Sequence, residues 1–235
     1  MKIAIMQPYI FPHIAYFQMI NAVDKFIFYD DVNFIKQGWI NRNKVLVNGK
    51  SFMFSIPLEK ADSFTKIKDT EISKKLYDKW RMKFLLSITQ NYKNAPFFEQ
   101  IYNLILSVFS QHPTTISVIA IDSIKKVSKY LQITTEFKTS SQSYNNTDLK
   151  KEVRLFNICK IEKATHYINS IGGQELYEKN SFLNEGIELN FIKNLSEEYQ
   201  QFKNEFVPYL SIIDVLMFNS VDEIQIMLNQ YELIN

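Results

Sequence analysis

The chain has 235 residues, 46% hydrophobic and 14% aromatic, enough apolar material to bury a sizeable core, and this excludes intrinsic disorder. Lys plus Arg number 27 against 25 Asp plus Glu, and a net charge of +2 gives no broad field to hold duplex DNA by counterion release. The single cysteine, Cys159, cannot close an internal disulfide, and no apolar run approaches the roughly 18 residues of a membrane span. A reduced, cytosolic protein with no export signal is expected, as one domain over 1–235 with a helical insertion at about 73–131.

Lys2-Ile-Ala-Ile-Met6, stopped by Gln7-Pro8, reads as a buried first strand. Pro12 suits the first turn of a helix, and Ile14, Phe17, Ile20 and Val23 follow at helical spacing. Lys25-Phe-Ile-Phe-Tyr29 returns as a second strand ending at Asp30-Asp31, which completes a βαβ unit. Asn43–Val47 and Ser51–Ile56 flank Asn48-Gly49, the dipeptide of a type I′ hairpin.

From Ser73 to Leu131 the periodicity is helical, with Trp80, Phe84, Ile88 and Tyr92 on one stripe. Thr134–Lys138 reads as a strand, and Asp148 as the N-cap or first-turn acid of a helix running to about Ala164. His166–Asn169 and Ile187–Ile192 are further strands, separated by Gly172-Gly173 and a short helical piece. Ile212–Phe218 and Val221–Leu228 are terminal helices, the first opened by Ser211 and Asp214 as an S-x-x-D capping box. The class that follows is α/β: a Rossmann-like, mostly parallel sheet with an inserted β-hairpin and a helical region.

Only 5 glycines are present, with no GxxxxGK[ST] and no GxGxxG, so neither a P-loop nor a dinucleotide fingerprint exists. His13, His112 and His166 lie far apart, and no spacing supports a structural metal; the cofactor is undetermined. In open α/β sheets ligands collect beyond the carboxyl ends of the strands. That rule selects Gln7-Pro8-Tyr9, Asp30-Asp31, Ser140-Ser141 and Ser170-Ile171-Gly172-Gly173-Gln174 as candidate binding residues. Each group is equally ordinary turn or cap chemistry.

The stretch Gln37-Gly-Trp39-Ile-Asn41-Arg42-Asn43 adds an aromatic for a ring, a guanidinium for a phosphate or carboxylate, and amides for hydroxyls. Its structural reading is Trp39 as a core plug, with Asn41 and Asn43 terminating backbone. Asp30-Asp31 suits Mg²⁺ binding or general-base work, against a plain strand end. Lys36, Arg42, Lys44 and Lys50 form a local basic patch that suits tRNA, or a solvated hairpin face.

The run Met6-Gln-Pro-Tyr-Ile-Phe-Pro12-His-Ile-Ala-Tyr-Phe17, continued by Asp24 to Asn43, resembles the opening of the WbqC-like family. Lys151-Glu-Val-Arg154-Leu, Gly172-Gly173 and Pro208-Tyr-Leu-Ser-Ile-Ile-Asp214 extend the likeness through nearly the whole chain. His13 stands where the family usually has an aromatic, and Ala15 where it has glycine. The resemblance implies a place in bacterial surface-polysaccharide (O-antigen, lipopolysaccharide) biosynthesis, beside enzymes that make nucleotide-linked amino sugars. The step expected of it is transfer of an acyl or aminoacyl group, from a coenzyme A ester or an aminoacyl-tRNA, to the sugar amine. Arg42 would hold the diphosphate, Trp39 and Tyr9 the rings, and His13 or Asp30 the amine proton.

His13-Ile-Ala-Tyr16 is also similar to a degraded HxGH of nucleotidyltransferases, with Ser140-Ser141 and Arg154 resembling their second phosphate motif. This keeps an adenylate-forming enzyme using ATP and Mg²⁺ open. A non-enzymatic assembly protein of a polysaccharide machine is the third reading.

Overall fold

The computed structural model describes residues 1–60, 62–110, 112–203 and 205–234. Eight strands and eight α-helices occur among them, in the order β1 (Lys2–Met6), α1 (Ile14–Asn21), β2 (Lys25–Phe28), β3 (Arg42–Val47), β4 (Lys50–Ser55), α2 (Tyr77–Tyr92), α3 (Phe98–Phe109), α4 (Ile116–Tyr130). There follow β5 (Glu136–Lys138), α5 (Lys151–Ile161), β6 (His166–Ser170), α6 (Lys179–Asn184), β7 (Glu188–Asn194), α7 (Ile212–Phe218), α8 (Val221–Met227) and β8 (Tyr231–Ile234).

Six strands form one sheet in the order β5-β2-β1-β6-β7-β8, parallel throughout except for β8, which pairs antiparallel with β7. Every apolar residue of β1 is used because both faces are covered. Ala4, with Phe26 and Phe28 of β2, packs into one core with α1, α4, α7 and the hairpin. Ile3, Ile5 and Ile27 pack into a second core with Leu155, Ile158 and Cys159 of α5 and Phe182 of α6. Cys159 behaves there as a small hydrophobe, its thiol pushed up to about 12 by burial.

β3 and β4 form a separate hairpin whose turn residues, Asn48 (φ 50°) and Gly49 (φ 72°), both take the left-handed conformation that a type I′ turn demands. The hairpin lies along α2. The Phe54 and Phe84 rings are 4.6 Å apart, and Asn48 N donates to Asn91 Oδ1 at 3.0 Å. Leu46 N donates to Tyr92 Oη at 2.7 Å, and the same hydroxyl donates to Asp214 Oδ1 at 2.7 Å.

Two sequence expectations are corrected and one strand is new. Ser211 does cap α7, accepting from Ile213 N at 3.2 Å, but Asp214 closes no capping box. Its carboxylate turns into the core and accepts from Tyr92, from Tyr199 Oη at 2.7 Å and from Gln201 Nε2 at 2.6 Å. Burial raises its pKa above the ordinary carboxylate value, and those three donors oppose the rise. Asp148 lies in a turn ahead of α5, whose N-cap is Lys150. The edge strand β8 was not anticipated: four residues give too short a period to read.

Tyr92 thus joins the hairpin, α2 and α7 through one hydroxyl. Tyr92→Phe leaves Leu46 N without an acceptor and removes a donor from a buried carboxylate, and it should cost about 1–3 kcal/mol in urea unfolding. A loss within the error of the measurement would mean that the hydroxyl bridge contributes nothing.

Candidate functional site

Because β1, β2, β5 and β6 are parallel, the groups that follow them lie at one edge of the sheet: Gln7 after β1, Asp30-Asp31 after β2, Ser140-Ser141 after β5 and Ile171–Gly173 after β6. The connections leave β1 in opposite directions, so the crevice between the ends of β1 and β6 is the switch point of the sheet.

The β1–α1 loop crosses this crevice and is held without glycine. Phe11 is fully buried at φ 40°, a conformation costly for a bulky residue unless its surroundings enforce it. They do so through buried polar contacts from three distant segments. Asn43 Nδ2 donates to Phe11 O at 2.7 Å and to Ile10 O at 3.2 Å. Phe11 N donates to Ser123 Oγ of α4 at 3.1 Å, and Ser211 Oγ donates to Phe11 O at 2.7 Å. Backbone pairs Ile10 N to Ile40 O (3.1 Å) and Ile212 N to Pro12 O (2.9 Å) complete the clamp.

Two groups from the sequence list are presented by this loop. Tyr16 Oη donates to Gln7 O at 2.8 Å, and its ring meets that of Tyr9 at 5.6 Å. Burial pushes the Tyr9 hydroxyl up to about 12, so it remains a neutral donor. His13 occupies the N-cap of α1 without a capping bond. Its residue stays exposed, while desolvation by the surrounding protein lowers its pKa below the ordinary histidine value.

The Ile10–Ile40 and Asn43–Phe11 bonds bring the segment 36–44 against the same loop. Trp39 keeps an exposed face and carries two cations: Arg42 Cζ is 5.9 Å and Lys44 Nζ 5.7 Å from its ring centroid. Arg42 is oriented by backbone, Nε donating to Gly38 O at 2.9 Å and Nη2 to Gln37 O. Asn41 Nδ2 donates to Ile56 O at 3.0 Å, so Asn41 and Asn43 both serve backbone carbonyls. Lys36 is exposed at the start of this segment.

Asp30, Asp31, Ser140, Ser141 and Arg154 come together as a buried cluster. Asp30 Oδ1 accepts from Ser140 Oγ at 2.7 Å and Ser141 N at 3.2 Å; burial raises its pKa against those hydrogen bonds. Asp31 accepts from Ser141 Oγ and, at 2.6 Å, from Arg154 Nη2, in an ion pair with both side chains at most 5% exposed. Arg154 Nε donates to Asn146 Oδ1 at 2.9 Å, and the guanidinium lies 4.8 Å from the Tyr29 ring centroid. These groups tie the β5–α5 connection to the end of β2, and His13 is the accessible base of the two candidates, His13 and Asp30. Among the described residues no three His, Cys, Asp or Glu side chains gather as a metal site.

Sequence reasoning missed Ser123 and Ser211 as clamp residues and Asn146 as the partner of Arg154. Ser123 and Ser211 act on a segment distant in the chain, and Asn146 reaches Arg154 eight residues on, a spacing that no local motif marks. At β6, Ser170 N donates to Asn169 Oδ1 at 2.7 Å. A Cβ at Gly173 would stand 2.8 Å from Asn169 Nδ2, whereas one at Gly172 would meet nothing within 4 Å. Gly173→Ala should therefore cost about 1–3 kcal/mol and Gly172→Ala less than about 0.5 in parallel thermal melts. Equal losses would remove the packing reason for Gly173.

A family model described as the WbqC-like protein family matches residues 7–226. The chain is similar to Uncharacterized protein Rv1507c of Mycobacterium tuberculosis (strain ATCC 25618 / H37Rv), 30% identical over 224 residues covering 93% of each chain. No solved structure matches it. With a family model spanning nearly its whole length and a full-length relative at that identity, the chain belongs to the WbqC-like protein family.

Proposed function

We propose that this protein is a transferase of bacterial surface-polysaccharide (O-antigen) biosynthesis, passing an acyl or aminoacyl group to the amine of a nucleotide-linked amino sugar. The observation that carries the reading is His13, an exposed imidazole of lowered basicity in the β1–α1 loop, the loop that Asn43 and Ile40 of the Trp39–Lys44 segment hold by hydrogen bonds. Cations around an exposed indole suit a nucleoside diphosphate, with phosphate held by charge and a ring by stacking. Tyr9 and Gln7 flank the sugar, with Tyr16 buried behind them and holding Gln7 O, and Ser170, Gly172 and Gly173 close the far side of the crevice.

In the reaction the sugar amine attacks the carbonyl carbon of the donor, forming the C–N bond. The donor's thioester or ester bond breaks, and its sulfur or oxygen leaves with the bonding pair. His13 takes the amine proton and returns it to the leaving group, a role worth about 10²- to 10⁴-fold. A neutral imidazole at physiological pH is the form that this role requires. The adenylate-forming alternative placed Asp30 or Asp31 beside Mg²⁺, and it has less support because both carboxylates already serve protein donors.

A thermal-shift screen tests the substrate class. A nucleotide-linked amino sugar at about 100 times its dissociation constant should stabilise the fold by ~2.7 kcal/mol, and Trp39→Ala should abolish the shift. A shift with ATP alone would overturn the proposal in favour of adenylate chemistry, and no shift with any nucleotide would favour an assembly role.

The pH dependence follows from the direction of the His13 shift. Protonation removes the base, so turnover should stay level through neutral pH and fall only below the ordinary histidine range. His13→Gln should lose about 10²-fold or more and erase that acid limb. An unchanged profile in the variant would assign the proton to another group.

A further inference from the structure

Net charge of +2 conceals a strong segregation. Residues 36–98, which hold the hairpin and α2, carry 13 Lys and Arg against 5 Asp and Glu, so this span is +8 and the remainder of the chain −6. Three of those five acids are already paired with a near neighbour: Asp62 with Lys60, Asp69 with Lys68 and Asp78 with Arg81. By contrast Lys50, Lys79, Lys83 and Lys93 are exposed and have no acidic partner among the described residues.

These lysines share one layer, because the hairpin is fastened along α2 through Phe54–Phe84 and Asn48–Asn91. At 100° per residue Lys79, Lys83 and Gln90 fall within about 40° of one another around the helix axis, in a single row. That row leads to a cavity of about 510 Å³ between the hairpin tip, the end of α2 and the segment 202–203. Its polar lining is four amides and one cation, Asn48, Gln90, Asn91, Asn94 and Lys203, with no carboxylate, and Leu46 and Phe202 add apolar wall. The side-chain amides of Gln90 and Asn94 make no hydrogen bond to the described residues. Phe52 of β4, 55% exposed, presents an aromatic face on the same hairpin.

We propose that the hairpin–α2 layer is an RNA-binding surface: the lysine row follows the phosphates, and the amide-lined cavity takes an unpaired base. Charge alone fits any polyanion, and the cavity decides among them. Solvent-facing amides with no protein partner match the hydrogen-bonding edge of a base, and an exposed phenyl ring suits stacking, whereas an anionic bilayer has no group for a polar recess. The surface adjoins Lys44 and Arg42 of the candidate site on the same hairpin, so RNA bound here delivers its end toward His13. This deepens the transferase reading by making the donor an aminoacyl-RNA, and it rests on that reading only for what the RNA delivers.

The test measures binding without any transfer, so its failure is distinct from failure of the transferase reading. Fluorescence anisotropy with labelled, unacylated bulk tRNA over a salt series should give saturable binding that weakens as salt rises, with a slope of about −0.7 to −0.9 per phosphate engaged. Lys79→Glu with Lys83→Glu should weaken binding by about tenfold or more and reduce the slope by about 1 to 2. Gln90→Ala with Asn94→Ala should weaken it with the slope unchanged. Lys125→Glu with Lys129→Glu on α4, exposed on another element, should have no such effect. The proposal is overturned by absence of binding at about 50 mM salt, by equal losses in the α4 control, or by binding to phosphatidylserine vesicles in place of tRNA.

Discussion

The backbone of Phe11 is the constraint on which the rest of the structure turns. A buried phenylalanine at φ 40° is strained by about 1–3 kcal/mol, and its N–H and C=O have no secondary structure to satisfy them. Asn43 from the hairpin, Ser123 from α4 and Ser211 at the cap of α7 satisfy both groups. The hairpin and the helical region thereby become the mould of the β1–α1 loop, which in dinucleotide-binding folds is shaped by glycine. With the loop fixed, Tyr9 and His13 stand where the sheet opens its crevice.

Two buried carboxylates show different answers to one cost. Asp31 meets Arg154 in an ion pair supported by Ser141 and Asn146, an arrangement worth little for stability by itself but demanding in geometry. Asp214 meets only neutral donors, two tyrosine hydroxyls and an amide, and desolvation raises its pKa. The first fastens the β5–α5 connection to the strand edge. The second fastens the hairpin and α2 to α7, so the basic layer and the clamp of Phe11 share a foundation.

The two halves of the molecule also differ electrostatically. The sheet with α5 to α8 is acidic on balance, and the hairpin with α2 is strongly basic, although local ion pairs such as Lys25–Glu162 at 2.7 Å join elements within the acidic half. Segregation of this size raises self-repulsion inside the basic layer, a cost that burial of Phe54, Phe84, Ile88 and Tyr92 beneath it offsets. Membership in the WbqC-like family says where comparable chains are to be sought. The chemistry has to be argued from the site itself.

The strands and helices were largely legible because their signals are local. Lys2–Met6 is a continuous apolar run, Asn48-Gly49 can take the positive φ of a hairpin turn, and Trp80, Phe84 and Ile88 recur at the helical period. The candidate residues at strand ends were legible too, since parallel strands place their carboxyl ends at one edge whatever else packs around them. The roles of Asn43, Ser123, Ser211, Asp214 and Asn146 were decided by tertiary structure. All but Asn146, whose partner Arg154 is eight residues on, answer a group far along the chain, and a hydrogen bond between separate segments leaves no period in the sequence. Asp214 shows the limit most clearly: its spacing from Ser211 spelled a local cap, and burial against Tyr92 and Tyr199 gave its oxygens stronger, non-local donors. Sequence determines which segments become regular, because regularity repeats locally; packing decides which side chain answers which backbone group, because that depends on what the fold brings within about 3 Å.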